Sequence, residues 1–129
     1  MLRATKTLFS ALKPIKISTG ITGLAVHPEP LPALKSTYTS TISILATLPS
    51  TSVYRQATET LTEHRLSVVE SAGGDIEKVE QELGNIVEVL LEEGKAEALL
   101  AGKMGEWKSY EGLEQTPPRG QWQYFDPGE

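Results

Sequence analysis

The sequence predicts an all-α fold: a small bundle of three main antiparallel helices with extended N- and C-terminal arms. Three long segments carry apolar residues at helical spacing, short turns with proline or paired glycines separate them, and glycine and proline are frequent towards both ends. At 129 residues the chain has the size of one domain. We expect a basic segment at 1–18, an extended arm at 19–30, the helical bundle at 31–110 and a second arm at 111–129.

The charge of the chain is unevenly distributed. Twelve basic and seventeen acidic residues give a net charge of −5, yet four basic residues precede the first acidic residue, Glu29. The acidic body argues against binding to nucleic acid or to anionic lipid, because both require a basic surface. The chain has no cysteine, which excludes disulfides and thiolate metal sites. It also has no run of eighteen apolar residues, so no membrane-spanning helix is predicted.

Residues 1–18 have the composition of a mitochondrial targeting segment. They are basic and hydroxylated, contain no acidic residue, and offer apolar side chains for one helical face. A secretory signal fits less well because the apolar residues form no uninterrupted core. The alternative is an untargeted basic arm, and the sequence leaves open whether the segment is cleaved.

Residues 19–30 predict an extended or looping arm. Gly20 and Gly23 are followed by a short apolar run and then by Pro28 and Pro30. The glycine spacing fits neither the Walker loop nor the dinucleotide fingerprint, which argues against a phosphate-binding loop.

The first helix is predicted at 31–48, with Pro32 near its start and Pro49 ending it. Its inward face should carry Leu34, Tyr38, Ile42 and Leu45.

The second helix is predicted at 53–72, capped by Ser50 or Ser52 and closed by Gly73 and Gly74. Its inward line is expected to contain Tyr54, Ala57, Leu61 and Val68.

A short helix is predicted from Asp75 to Leu83, and Gly84 should separate it from a long helix at 85–107. Asn85 and Glu88 have the spacing of a capping box at the start of the long helix. This helix carries a stripe of large apolar residues and a stripe of small ones, which suggests that it is gripped from two sides. The large stripe comprises Ile86, Val89, Leu90, Leu100, Met104 and Trp107, and the small stripe comprises Gly94, Ala98, Ala101 and Gly105. We expect the small stripe to face inward, which shifts any partner contact towards residues 103–107 and the arm that follows.

Two further features concern binding. Residues 59–97 contain eleven acidic and three basic side chains, which form either a solvated helical face or a docking surface for a basic partner. The C-terminal arm contains Trp122, Tyr124 and Phe125, although disordered tails are normally poor in aromatic residues. This arm is therefore expected to pack on a partner or on its own bundle.

The residues that could support catalysis or metal binding are few. His27 and His64 are the two histidines, and the helical neighbours of His64, Thr60 and Val68, offer no carboxylate to orient its ring. No metal-ligand motif and no nucleophile motif occurs. We therefore predict no catalytic residue, no cofactor and no metal. A small all-helical enzyme that binds a dicarboxylate remains a remote alternative, because such a site needs several buried cations.

Together these features resemble the accessory subunit of mitochondrial respiratory complex I called NADH:ubiquinone oxidoreductase alpha subcomplex subunit 5, the thirteen-kilodalton B subunit. The resemblance runs from about Thr19 to the C-terminus, and it depends on the order and spacing of several short motifs. These motifs are Thr19-Gly20-Ile21-Thr22-Gly23-Leu24-Ala25-Val26, Tyr54-Arg55, Glu88-Val89-Leu90, Lys103-Met104, Trp107-Lys108, Pro117-Pro118 and Gln121-Trp122.

The resemblance implies a non-catalytic helical bundle on the matrix side of the inner membrane, in the peripheral arm of complex I. The implied partners are other complex I subunits, chiefly the core subunit of roughly thirty kilodaltons near the quinone-reducing module. A free-standing mitochondrial adaptor or chaperone-like module that binds through its acidic face is the alternative. The candidate interface residues are Gly20, Gly23, Leu24, Val26, Tyr54, Arg55, Lys103, Met104, Trp107, Pro117, Pro118, Gln121, Trp122, Tyr124 and Phe125.

Overall fold

Four helices organise the computed structural model, which describes residues 16–121. They are α1 (Pro30–Leu45), α2 (Val53–Ser71), α3 (Ile76–Leu83) and α4 (Val87–Trp107), and no strand occurs in this range. The predicted all-α bundle of three main helices is therefore confirmed. Residues 1–15 of the predicted targeting segment and the aromatic residues Trp122, Tyr124 and Phe125 lie outside the described residues.

Helix α1 starts with a proline in its first turn, where a missing amide costs no intrahelical bond. It ends at Leu45, three residues before the predicted end, because the amides of Thr47 and Leu48 bond to carbonyls only three residues back. Leu34, Tyr38 and Leu45 are buried as predicted. Threonines are tolerated in α1 because their hydroxyls donate to the preceding turn, as Thr41 does to the Thr37 carbonyl at 2.9 Å.

Helix α2 begins as predicted, since the Ser52 hydroxyl accepts a bond from the Arg55 amide at 3.3 Å. Its predicted inward line is partly wrong, because Ala57 and Leu61 are exposed. Two threonines take their place in the interior. The Thr62 hydroxyl donates to the Thr58 carbonyl at 2.7 Å, so the side chain is buried with its donor satisfied. The residues of α2 that are buried are Thr58, Thr62, Val68 and Val69.

The turns between α2 and α4 follow the glycines of the sequence. Gly73 and Gly74 have φ angles of 59° and 95° after α2, and Gly84 has a φ of 69° after α3. These left-handed conformations are strained for residues with a Cβ atom. Val79 of α3 is completely buried, as expected from its central place in the short apolar face.

The predicted capping box at Asn85 and Glu88 is wrong. The N-cap of α4 is Ile86, and the Asn85 side chain accepts only from the adjacent Ile86 amide, at 3.0 Å. The amide of Val87, the first helical residue, instead donates to the Glu80 carboxylate on α3 at 3.1 Å. Glu88 is 3% exposed and lies 3.4 Å from the Lys16 ammonium group. Glu80 of α3 thus supplies the hydrogen-bond acceptor that was expected from Asn85.

Helix α1, rather than α4, is the centre of the bundle. It packs along both α2 and α4, whereas the backbones of α2 and α4 hardly approach each other. Gly94 of α4 faces Tyr38, and Gly105 faces Leu48, so α1 and α4 run parallel. Helix α2 runs antiparallel to both, with the Tyr54 hydroxyl bonded to Glu97 and Arg65 paired with Glu93.

The two stripes of α4 have different environments. The small stripe faces inward as expected: Ala101 is 1% exposed, and a Cβ atom on Gly94 would lie 3.2 Å from side-chain atoms of both Thr37 and Tyr38. The large stripe is split, since Leu90 is buried while Leu100 and Trp107 are exposed. Within the described residues, the chain covers one side of α4 and leaves Leu100 and Trp107 open on another. None of the helices in residues 16–121 combines the length and apolar character needed to cross a membrane.

Candidate partner interface

The N-terminal arm forms a compact turn ahead of α1. The Thr19 hydroxyl donates to the Leu24 carbonyl at 2.7 Å, and the Leu24 amide donates to the Ile21 carbonyl at 3.3 Å. Gly20 and Gly23 both have positive φ angles, of 74° and 85°. The turn leaves the two glycines exposed, with Leu24 and Val26 half-buried. The predicted glycine positions thus shape the arm.

Ion pairs of Lys16 attach this arm to the bundle. Its ammonium group bonds to the Glu80 carboxylate and lies 3.4 Å from the Glu88 carboxylate. Burial lowers the Lys16 pKa, but the hydrogen bonds and negative charges of Glu80 and Glu88 outweigh this effect, so the pKa is raised from 10.5. The position falls within the predicted targeting segment, yet its side chain belongs to the folded body.

Tyr54 and Arg55 use their polar groups within the chain. The Tyr54 hydroxyl donates to the Glu97 carboxylate on α4, and burial, followed by this bond, raises the pKa of Tyr54 to about 12. The Arg55 guanidinium donates to the Leu48 carbonyl at the end of α1 and to Glu59 at 3.3 Å. These two interface candidates therefore connect α2 to α4 and to the segment that follows α1.

The C-terminal part of α4 presents a mixed surface. Met104 packs half-buried against the cluster of Leu45, Leu48 and Ala101. Trp107 is 64% exposed, and Lys103 reaches solvent beside Glu106 at 2.8 Å. Large aromatic residues are preferred anchors of protein interfaces. Trp107 is thus the strongest single candidate among the described residues.

The described part of the C-terminal arm is exposed throughout. Lys108 ends α4 in a left-handed conformation with a φ of 48°, and residues 109–121 follow without regular structure. Pro117, Pro118 and Gln121 lie in this stretch, and the Gln121 amide donates to the Pro118 carbonyl at 3.2 Å.

The predicted interface residues form two groups at opposite ends of the bundle. The arm carrying Gly20, Gly23, Leu24 and Val26 is held near the start of α4 by Lys16. Tyr54 and Met104 pack against the cluster of Leu45, Leu48 and Ala101 towards the other end. Trp107 lies nineteen helical steps beyond Glu88, roughly 28 Å along α4. A partner that contacts both groups must span the length of the bundle.

Several exposed apolar side chains differ from the sequence-based prediction. Leu61 and Leu100 were assigned to apolar faces but are 51% and 38% exposed, and Leu99 was not assigned although it is 75% exposed. Adjacent leucines on a helix point about 100° apart, so the Leu99-Leu100 pair was a signal that one of them faces outward. Leu61 carried no comparable signal, because its exposure depends on the rotation of α2.

Few of the described residues are candidates for catalysis or metal binding. His27 accepts a bond from the Glu29 amide at 3.1 Å, and His64 is exposed on α2. Within residues 16–121 no cluster of three or more histidine, aspartate or glutamate residues is placed to hold a metal ion.

Comparison with known proteins gives a consistent result. Residues 23–88 match the family model described as the ETC complex I subunit conserved region, which covers α1 to α3 and the first two residues of α4. The chain is 40% identical over 112 residues to bovine NADH dehydrogenase [ubiquinone] 1 alpha subcomplex subunit 5, covering 85% of this chain and 95% of the bovine one.

Fungal and plant relatives show the same similarity. The chain is 40% identical over 111 residues to NADH dehydrogenase [ubiquinone] 1 alpha subcomplex subunit MCI4 of Candida albicans, covering 84% of this chain and 79% of that one. It is 39% identical over 97 residues to a probable mitochondrial subunit 5 of Arabidopsis thaliana, covering 74% of this chain and 57% of the relative. These matches confirm the resemblance inferred from the short motifs, and the chain belongs to the complex I alpha subcomplex subunit 5 family.

Proposed function

We propose that this chain is a non-catalytic accessory subunit of mitochondrial complex I that stabilises or assembles the matrix-exposed peripheral arm. The observation that carries the proposal is the similarity to relatives named as alpha subcomplex subunits of NADH dehydrogenase, at 40% identity over most of both chains. Such similarity along the whole fold supports a shared place in one assembly. It associates the chain with the mitochondrial inner membrane through that complex.

The partner we propose is the core subunit of roughly thirty kilodaltons beside the quinone-reducing module. The exposed Trp107 and the arm around Gly20 and Gly23 would bind it, together with the aromatic residues of the C-terminal arm. The separation of these groups along the bundle supports a long interface. Long interfaces with a few aromatic anchors are typical of stable assemblies.

Native gel electrophoresis of mitochondrial extracts tests the proposal. The endogenous protein, detected with an antibody, should migrate with a very large inner-membrane assembly that contains NADH dehydrogenase activity. Chemical cross-linking of the excised assembly should join Lys103 or Lys108 to the core subunit of roughly thirty kilodaltons. Migration as a small soluble species would contradict the proposal and favour the free-standing adaptor. Cross-links to other subunits alone would refute the named partner.

A further inference from the structure

An open groove of about 360 Å³ lies between α2 and α4, with α1 as its floor. Tyr38 and Thr41 form the floor, Leu61 and Arg65 line the α2 side, and Glu97 and Leu100 line the α4 side. The groove exists because α2 and α4 both pack on α1 and hardly meet each other. Its volume accommodates one large apolar side chain or two smaller ones.

The walls and floor of the groove show what it can bind. Leu61 and Leu100 are 51% and 38% exposed, so an apolar occupant would cover them. At the base, Tyr38 is 2% exposed and its hydroxyl oxygen has no hydrogen-bond partner among the described residues. Burial raises the Tyr38 pKa and the nearby Arg65 guanidinium lowers it, so this hydroxyl has a polar neighbour on the α2 side of the groove.

The charged residues around the groove determine which net charge a bound segment should carry. The charged residues that line the groove are one basic residue, Arg65, and two acidic residues, Glu93 and Glu97. At the rim, Arg65 is already paired with Glu93 at 3.3 Å, and Glu97 accepts a bond from the Tyr54 hydroxyl. Carboxylate oxygens accept more than one hydrogen bond, so both glutamates can still receive a cation. A basic segment is therefore favoured.

The groove is continuous with the exposed end of α4. Leu100 and Trp107 are seven residues apart, which places them on the same face of the helix. A partner that covers Trp107 can thus extend into the groove. The C-terminal segment of this chain is a poorer occupant, because residues 122–129 contain Asp126 and Glu129 and no basic residue. The described arm is also exposed from Lys108 to Gln121.

We propose that the α2–α4 groove receives an apolar side chain flanked by lysine or arginine from a neighbouring subunit of complex I. The apolar side chain lies between Leu61 and Leu100, above Tyr38. The flanking cation pairs with Glu93 or Glu97. This inference depends on the proposed function, since it takes its partner from the same assembly.

Site-specific photocross-linking tests the groove in the intact complex. A benzoylphenylalanine at Leu61 of the full chain should form an adduct with a second subunit, and mass spectrometry should map the adduct to an apolar residue next to lysine or arginine. The same probe at Ser43, on the exposed side of α1, is the control and should not label that segment. An adduct with residues 1–15 or 122–129 of this chain, or no adduct at Leu61, would overturn the proposal.

Charge substitutions give an independent measure. In competition with the wild-type chain, Leu61→Lys should reduce incorporation into the complex about tenfold or more, and Leu61→Asp should reduce it less, because the expected partner is basic. Thr60→Lys changes an exposed neighbour outside the groove and should incorporate normally. Equal incorporation of Leu61→Lys and Thr60→Lys would refute the groove while leaving the proposed function intact. Failure of the wild-type chain itself to enter the complex would refute the proposed function.

Discussion

Gly94 decides how closely α1 and α4 can approach. It is buried, and a Cβ atom there would lie 3.2 Å from Thr37 Cγ2 and from Tyr38 Cε1, which is tighter than ordinary van der Waals contact. Glycine in a helix costs about 1 kcal/mol relative to alanine. The close packing of the two helices must offset that cost at this position. Gly102 offers the contrast, since a Cβ atom there would meet open space.

Substituting each of these glycines by alanine separates the effect of helix propensity from the effect of close helix packing. Gly102→Ala should stabilise the chain by about 0.5 to 1 kcal/mol through helix propensity alone. Gly94→Ala should be about 1 to 3 kcal/mol less stable than Gly102→Ala, because Thr37 and Tyr38 must move. Urea unfolding of both variants measures the difference. Equal stability would show that α1 and α4 can separate without cost.

Lys16 is a second residue that affects stability, at a part of the fold far from it in the sequence. It stands before the Gly20 turn, yet it neutralises Glu88, which is 3% exposed. Removing one member of a buried ion pair leaves the other charge uncompensated. The N-terminal arm is therefore coupled to the stability of the start of α4.

Lys16→Met should destabilise the chain by about 1 to 3 kcal/mol at neutral pH, a value discounted for the partial exposure of the lysine. Lys35→Met is the control, because Lys35 and Glu70 form an ion pair in which both side chains are at least half exposed. Its cost should stay below about 0.5 kcal/mol. Thermal unfolding compares the two variants. Equal losses would show that Lys16 is an ordinary surface lysine.

Among the helices, α2 is joined to α4 mainly by side chains. The Tyr54 hydroxyl bonds to Glu97 near one end of the groove, and Arg65 pairs with Glu93 at 3.3 Å. Burial is the main reason that the Tyr54 pKa is raised from 10.0 to about 12, and the bond to Glu97 adds to it. The folded state therefore holds the phenol proton more tightly than the unfolded state does. The resulting stabilisation is complete below pH 10 and is lost as the pH rises towards 12.

Tyr54→Phe tests this link between the helices. At neutral pH the variant should lose about 1 kcal/mol of stability, because the hydroxyl no longer bonds to Glu97. Between pH 10 and 12 the wild-type chain should lose stability more steeply than the variant. Denaturant unfolding at several pH values measures both slopes. Tyr110→Phe alters an exposed tyrosine beyond α4 and should follow the wild-type profile. Parallel profiles for Tyr54→Phe and the wild type would contradict the assignment.

At the scale of the whole molecule, the bundle leaves its two arms and the outer side of α4 available to a partner. Ile17, Trp107 and Leu113 are each more than half exposed, at 102%, 64% and 79%. The arms have little regular backbone bonding within the chain, so their exposed polar groups are open to water or to a partner. Assembly into complex I supplies such a partner in the proposed function.

Deleting residues 121–129 tests the contribution of the C-terminal arm. The truncated chain should compete poorly with the full chain for incorporation into the complex, because it lacks Trp122, Tyr124 and Phe125. A chain that lacks only Gly128 and Glu129 should incorporate normally. Quantitative mass spectrometry of the isolated complex gives both occupancies. Unchanged occupancy of the longer deletion would show that the tail does not dock on a partner.

The sequence by itself determined the helices, their approximate ends and the family. The signals for the helices and their ends act over a few residues, so they can be recognised without knowledge of the fold. They are helix periodicity, the Ser52 cap and the glycines at 73, 74 and 84. The ordered short motifs were enough to indicate the complex I family, which the comparisons then confirmed.

Only the tertiary structure decided which helix is central and which groups pair across the bundle. Helical periodicity shows that α4 has two apolar stripes, but the position of α1 determines that Leu90 of the large stripe is buried while Leu100 and Trp107 remain exposed. Likewise, Glu80 replaces the expected Asn85 cap, and Glu88 binds Lys16 from 72 residues away. Such contacts depend on how whole helices rotate and pack, a long-range property that local spacing does not encode.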